Sequence, residues 1–125
     1  MTSDRFERLA RWLFWMALAG ALVLALMPQP PTLPTDQLGD KVNHMFAFAT
    51  LATLALVGWP RMERLRIVER LSFLGAMIEV AQSTQLIHRD CDIRDWVADT
   101  LAILAVVAVG AVVGRLAAPA VRSAG

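Results

Sequence analysis

A cluster of charged residues lies directly before a strongly apolar segment of this chain, where charge is costly to keep. Residues 89–99 contain four aspartates and two arginines, and the apolar run that follows continues beyond residue 107. Three of the aspartates, Asp92, Asp95 and Asp99, are three and four residues apart, which places them on one face of a helix. Carboxylates arranged in this way bind cations, exchange protons or pair with cationic side chains of neighbouring helices.

Two more polar groups occur at helical spacing elsewhere in the chain. Asp40 and Lys41 precede His44 by four and three residues, and Glu79 precedes Gln82 by three. If the helices alternate in direction, the start of the second, the end of the third and the start of the fourth meet at one end of the bundle. We therefore predict one ligand-binding cluster, with these members: Asp40, Lys41, His44, Glu79, Gln82, Arg89, Asp92, Asp95 and Asp99.

Three interpretations of this cluster are open. In the first, Lys41 and Arg89 neutralise the acids and only lock the helices together. In the second, the carboxylates and His44 bind a cationic or polar headgroup or a divalent metal; because a compact His or Cys spacing is absent, we expect no metal and no cofactor. In the third, Glu79 or Asp95 acts with His44 in general acid–base chemistry. No nucleophile is evident, so no catalytic residue is assigned.

The composition sets the class of the protein. With 125 residues, 57% of them hydrophobic, the chain is predicted to be a single integral membrane domain, residues 1–125. A net charge of +1 argues against a nucleic-acid partner, which requires a clustered basic surface. The single cysteine, Cys91, excludes an internal disulfide and a cysteine-built metal site. The expected partner is a membrane lipid or a lipid-linked envelope ligand.

Four apolar segments predict an all-α membrane protein with four transmembrane helices in a compact bundle, at about 9–27, 40–59, 67–87 and 92–116. The first segment also fits a signal peptide, but the flanking Trp12 and Trp15 favour a retained helix. The third is the weakest, because Glu79 and Gln82 interrupt it. A soluble bundle is the alternative for the whole chain. Against it, residues 101–114 are apolar on every face.

The basic residues predict the orientation of these helices. Four crossings place nine basic residues on the side of the termini and three on the other side, so the positive-inside bias puts both termini in the cytoplasm. The nine are Arg5, Arg8, Arg11, Arg61, Arg64, Arg66, Arg70, Arg115 and Arg122, and the three are Lys41, Arg89 and Arg94. The polar cluster then faces outward from a cell inner membrane.

Two features outside the cluster concern packing. Gly110 and Gly114 form a small-xxx-small pair, which permits close packing within the bundle or a homo-oligomer. Trp59 and Trp96 lie near opposite predicted interfaces and are interpreted as interfacial anchors.

The polar spacing resembles that of the VanZ-like membrane proteins over about residues 40–103. The motifs that carry the resemblance are Asp40-Lys41-x-x-His44, Glu79-x-x-Gln82 and Arg89-x-x-Asp92-x-x-Asp95-x-x-x-Asp99. Members of that family are small multi-helix membrane proteins, and the namesake is associated with resistance to teicoplanin. The family commonly has asparagine at the position of Asp99 and glycine at that of Ala102. The resemblance implies a role in the cell envelope, without antibiotic resistance being carried over from the name.

Overall fold

The structure is a computed structural model that describes residues 2–27, 40–84 and 93–117, apart from the side chains of residues 40 and 41. These residues form four α-helices and no strand: α1 (Thr2–Leu26), α2 (Asp40–Gly58), α3 (Arg64–Gln82) and α4 (Ile93–Ala117). The all-α class predicted from the sequence is confirmed for this part of the chain. Residues 28–39 and 85–92 lie outside it.

Two of the described helices are long and apolar enough to cross a membrane. These are α1 and α4, each of 25 residues, whereas the apolar part of α2, Val42–Gly58, is shorter. A helix of 25 residues is ~37 Å long and the hydrocarbon core of a bilayer is ~30 Å thick, so either helix is long enough to span it. By length and composition, these two helices suggest a membrane protein.

The helix bounds differ from the sequence prediction mainly in α1 and α3. The basic lead of α1 is helical from Thr2, where Arg8 donates to the carbonyl of Asp4. The start of α3 is at Arg64, three residues before the predicted one, and its end is at Gln82 rather than near residue 87. The hydroxyls of Ser83 and Thr84 donate to the carbonyls of Val80 and Ala81, which satisfies the last turn and ends the helix.

Contacts at both ends show that consecutive helices run in opposite directions. At one end, Gln82 near the C-terminus of α3 donates to the carbonyl of Ala25 near the C-terminus of α1. At the other end, the guanidinium of Arg11 in α1 donates to the carbonyl of Gly58, the last residue of α2, over 2.6 Å. In the described chain, α2 and α3 contact each other and both remaining helices.

The glycine pair of α4 lies beside α2 and α3, with Gly110 partly buried and Gly114 exposed. A Cβ added at Gly110 would lie 2.9 Å from Cδ1 of Leu56 in α2, and one at Gly114 would lie 3.3 Å from a guanidinium nitrogen of Arg64 in α3. Both glycines therefore permit close contact between helices of one chain. Of the two roles left open by the sequence, the contact of Gly110 with Leu56 supports packing within the bundle, and the homo-oligomer stays a prediction.

The hydrophobic core is formed by residues from all four helices. Its buried members are Phe14, Phe48, Leu51, Ala52, Ala55, Ile67, Leu71, Ile78, Ile103 and Val107. This packing fixes the rotation of each helix about its axis, and therefore decides which polar residues point inward.

Candidate functional site

Three side chains from three helices converge in the interior of the bundle. They are His44 of α2, Glu79 of α3 and Asp99 of α4, and one ligand-type atom of each lies within 4.8 Å of the other two. The distance from Nδ1 of His44 to Oδ2 of Asp99 is 3.9 Å. Glu79 is 6% exposed and Asp99 2%, while the side chain of His44 is 13% exposed. We call these three residues the buried triad.

Each member of the buried triad lies close to the end of its helix. His44 is four residues after the start of α2, Glu79 is three before the end of α3, and Asp99 is six after the start of α4. At 1.5 Å per residue, these positions are ~6, ~5 and ~9 Å from the helix ends. The antiparallel arrangement brings the three ends together, so the buried triad lies one to two turns below one end of the bundle.

Gln82 extends this polar region toward α1. It is one helical turn beyond Glu79 on α3, is 2% exposed, and donates from Nε2 to the carbonyl of Ala25 over 2.8 Å. That carbonyl is among the last four of α1, which have no partner within their own helix. Gln82 therefore has a packing role in addition to its place beside the buried triad.

A set of hydrogen bonds between α3 and α4 fixes the position of Asp99. The hydroxyls of Ser72 and Thr100 lie 2.9 Å apart, and Nε1 of Trp96 donates to the carbonyl of Ser72 over 3.0 Å. The Cβ position of Gly75 is 3.8 Å from Oδ2 of Asp99 and 3.5 Å from the Trp96 ring, which are ordinary van der Waals distances, so α3 packs directly against both side chains. Trp96, interpreted from the sequence as an interfacial anchor, ties α4 to α3.

The structure distinguishes the remaining predicted site residues. Asp95 is partly buried one turn before Asp99 on α4, and it is outside the buried triad. Asp40 and Lys41 belong to the first turn of α2, but their side chains are not described. Arg89 and Asp92 lie outside the described residues. Of the nine predicted residues, the structure brings together His44, Glu79 and Asp99, with Gln82 adjoining.

The supporting residues were missed by sequence reasoning. Ser72 and Thr100 are single hydroxyl residues within apolar segments, and the carbonyl of Ala25 has no signal in the sequence at all. A polar residue on the inward face of an apolar helix is a weak indicator of a functional or supporting role. Ser72 can be recognised in this way only once the direction of that face is known.

The buried triad offers one imidazole nitrogen and two carboxylates. With His44 neutral and both acids ionised, these three side chains would carry a charge of −2, with both carboxylates buried. Such a set can bind a cation, or accept and release a proton. We find no sulfur ligand and no nucleophilic hydroxyl among these three residues.

Comparisons of the chain with protein-family models, with curated proteins and with solved structures find no match. The resemblance to the VanZ-like family consequently depends on the spaced polar motifs alone.

Proposed function

We propose that this chain is a multi-pass inner-membrane protein with four transmembrane helices and cytoplasmic termini. In this proposal its outward-facing polar cluster binds a polar or lipid-linked ligand of the cell envelope. The observation that carries the proposal is a buried triad of ionisable side chains near one end of a bundle whose exposed positions within residues 71–82 and 97–114 are apolar. The resemblance to the VanZ-like family points to the same location and the same residues.

The inverted polarity of α3 supports its membrane insertion. Within residues 71–82 the exposed positions are Phe73, Met77 and Val80, whereas Glu79 and Gln82 are buried. A soluble amphipathic helix has the opposite arrangement, with its polar side chains outward. An apolar outer face suits contact with lipid, and inward polar groups are the usual arrangement within membrane bundles.

The exposed threonines of α2 support the same conclusion. The hydroxyls of Thr50 and Thr53 donate to the carbonyls of Phe46 and Ala49, one turn earlier, over 2.8 Å each. A hydroxyl that faces hydrocarbon has no water to bond, so a bond to its own helix removes the cost. The remaining exposed residues of Val42–Gly58 are Phe46 and Val57.

Reporter fusions test the proposed topology. We expect fusions after Gln37 and His88 to report an external location, and fusions after Arg64 and Gly125 to report a cytoplasmic one, because the basic residues concentrate on the latter side. A cytoplasmic signal at Gln37 would contradict the charge argument and the outward direction of the cluster.

Ligand binding is tested with the buried triad and the lipids that co-purify with it. Wild-type protein and the variants His44→Ala and Glu79→Ala are extracted in mild detergent, and bound lipids are identified by mass spectrometry. The purified proteins are then titrated with phosphatidylethanolamine and phosphatidylglycerol. We expect both variants to remain folded and to retain less of the lipid class that the wild type prefers. Glu69→Gln is the matched control, because Glu69 is an exposed carboxylate on the same helix.

A structural or partner-binding subunit is the second candidate function. The Gln82 bond to α1 and the Ser72–Thr100 contact favour it, since both join helices close to the buried triad. This candidate predicts that His44→Ala and Glu79→Ala lose folded protein from the membrane. If both variants keep the abundance and the lipid retention of the wild type, that result would count against the ligand site.

A further inference from the structure

We propose that His44, Glu79 and Asp99 hold one divalent transition-metal ion, with Zn²⁺ the best match. The inference rests on the proposed function, because it names the cation that the same cluster takes. It also departs from the expectation of no metal drawn from the sequence. The three ligands are 35 and 20 residues apart, so no local spacing reveals them, and only the packing of α2, α3 and α4 brings them together.

The distances are close to those of a coordination shell. Ligand atoms ~2.1 Å from a tetrahedral ion are ~3.4 Å from one another. The 3.9 Å between His44 and Asp99 is within reach of that value, and the remaining separations do not exceed 4.8 Å. The terminal torsions of carboxyl groups are broad, so their oxygens can turn toward an ion.

The donor types indicate which metals fit. An imidazole nitrogen favours zinc and its neighbours over Mg²⁺ and Ca²⁺, which prefer sites made of oxygen ligands alone. Three protein ligands leave one position of a tetrahedral zinc open, as in zinc sites that bind water or substrate. In this membrane bundle, the open position is available to a phosphate or carboxylate oxygen of a headgroup.

The charge and the location of the buried triad fit a divalent ion. The two carboxylates have oxygens within 4.8 Å of each other, and a 2+ ion carries the charge that balances both of them when they are ionised. The buried triad is only one to two turns below the end of the bundle, and His44 retains 13% exposure. An ion thus has a short path from the aqueous side.

Metal content of the whole chain in lipid-free dodecylmaltoside micelles tests the inference. The protein is stripped with a chelator, equilibrated with Zn²⁺, separated from free ion and analysed for bound metal. We expect about one Zn²⁺ per chain, and at least a tenfold loss of affinity in each of His44→Ala, Glu79→Gln and Asp99→Asn, because each removes a ligand. Absorption of the Co²⁺-substituted protein gives an independent report on four-coordination by nitrogen and oxygen.

Two matched controls separate the buried triad from other sites. His88→Ala removes the other histidine of the chain, and Glu69→Gln removes an exposed carboxylate of α3. Both are expected to bind Zn²⁺ as the wild type does. If a triad variant fails to fold, the Zn²⁺-dependent rise in the unfolding temperature of the wild type and of His88→Ala still decides the question.

The proposal is overturned if the wild type binds much less than one Zn²⁺ per chain, or if His88→Ala loses the metal while His44→Ala keeps it. A counter-ion such as Lys41 would then be the group that neutralises the acids. Failure here is distinct from failure of the proposed function. If Zn²⁺ does not bind but lipid retention is intact, only the metal site is excluded. If Zn²⁺ binds but no lipid class is preferred, only the lipid ligand is excluded.

Discussion

Replacement of Asp99 by asparagine tests how the negative charge of this side chain affects stability, because the shape of the side chain is kept. Asparagine keeps the size of the side chain and much of its hydrogen bonding, and it removes one negative charge from a site that is 2% exposed. It is also the residue that the VanZ-like family commonly has at this position. We expect the variant to insert and to accumulate as the wild type does.

The expected magnitude follows from the distance between the two buried acids. With atoms of Glu79 and Asp99 within 4.8 Å, their repulsion is ~3 kcal/mol at an effective dielectric constant of ~20. Some of this is recovered by rearrangement, so the metal-free variant should be about 1–3 kcal/mol more stable than the metal-free wild type. Burial of the neutral asparagine side chain also costs less free energy than burial of a charged aspartate, which again favours the variant.

Zinc should reverse the order of stability. A ligand at 1,000 times its Kd stabilises the folded state by about 4.1 kcal/mol, and the wild type gains this amount while Asp99→Asn gains little. The assay is unfolding by SDS, followed by circular dichroism, with a chelator and then with Zn²⁺. Glu63→Gln serves as the control, because that side chain is 76% exposed and its ion pair with Arg66 lies at the surface.

One result would refute this reasoning. If Asp99→Asn is degraded, fails to insert, or is less stable than the wild type in chelator, the charge of Asp99 is required by a cationic partner. The interpretation of the cluster as a structural network would then prevail.

Three further predictions concern packing and use the same unfolding assay. Gly58→Ala should lower the free energy of unfolding by about 1–2 kcal/mol, because its Cβ would lie 3.3 Å from the backbone nitrogen of Arg11. Gly75→Ala should be neutral or stabilising by up to about 1 kcal/mol, because its Cβ would meet no atom closer than 3.4 Å and alanine favours a helix. A large loss of stability would mean that the site is tighter than the structure indicates. Gln82→Met should cost about 1–3 kcal/mol, because it removes the hydrogen bond that Nε2 donates to the carbonyl of Ala25 between α3 and α1. An unchanged midpoint would show that this bond adds nothing to stability.

The sequence predicts the helices because the relevant interactions are local. Long apolar runs bounded by proline, glycine or charge give α2 and α4 to within one or two residues of the predicted bounds. The prediction is less accurate for α3, whose apolar pattern is broken by Glu79 and Gln82 and whose end depends on the hydroxyls of Ser83 and Thr84.

The sequence also identifies the polar residues, since charge within an apolar segment is evident without a structure. His44, Glu79, Gln82 and Asp99 are all among the predicted site residues. Their relative weight is not evident. Asp95 is as prominent in the sequence as Asp99, and both share a face of α4 at helical spacing.

Tertiary packing decided which of these residues meet. The contacts of Phe48, Leu51 and Ile103 in the core set the rotation and the height of α2 and α4. As a result, Asp99 faces His44, whereas Asp95, one helical turn earlier on α4, is outside the buried triad. The same packing turned Trp96 toward Ser72 and Gly110 toward Leu56. A local pattern determines which face of a helix is polar, but the partner of that face depends on the shapes of side chains that are distant in the sequence.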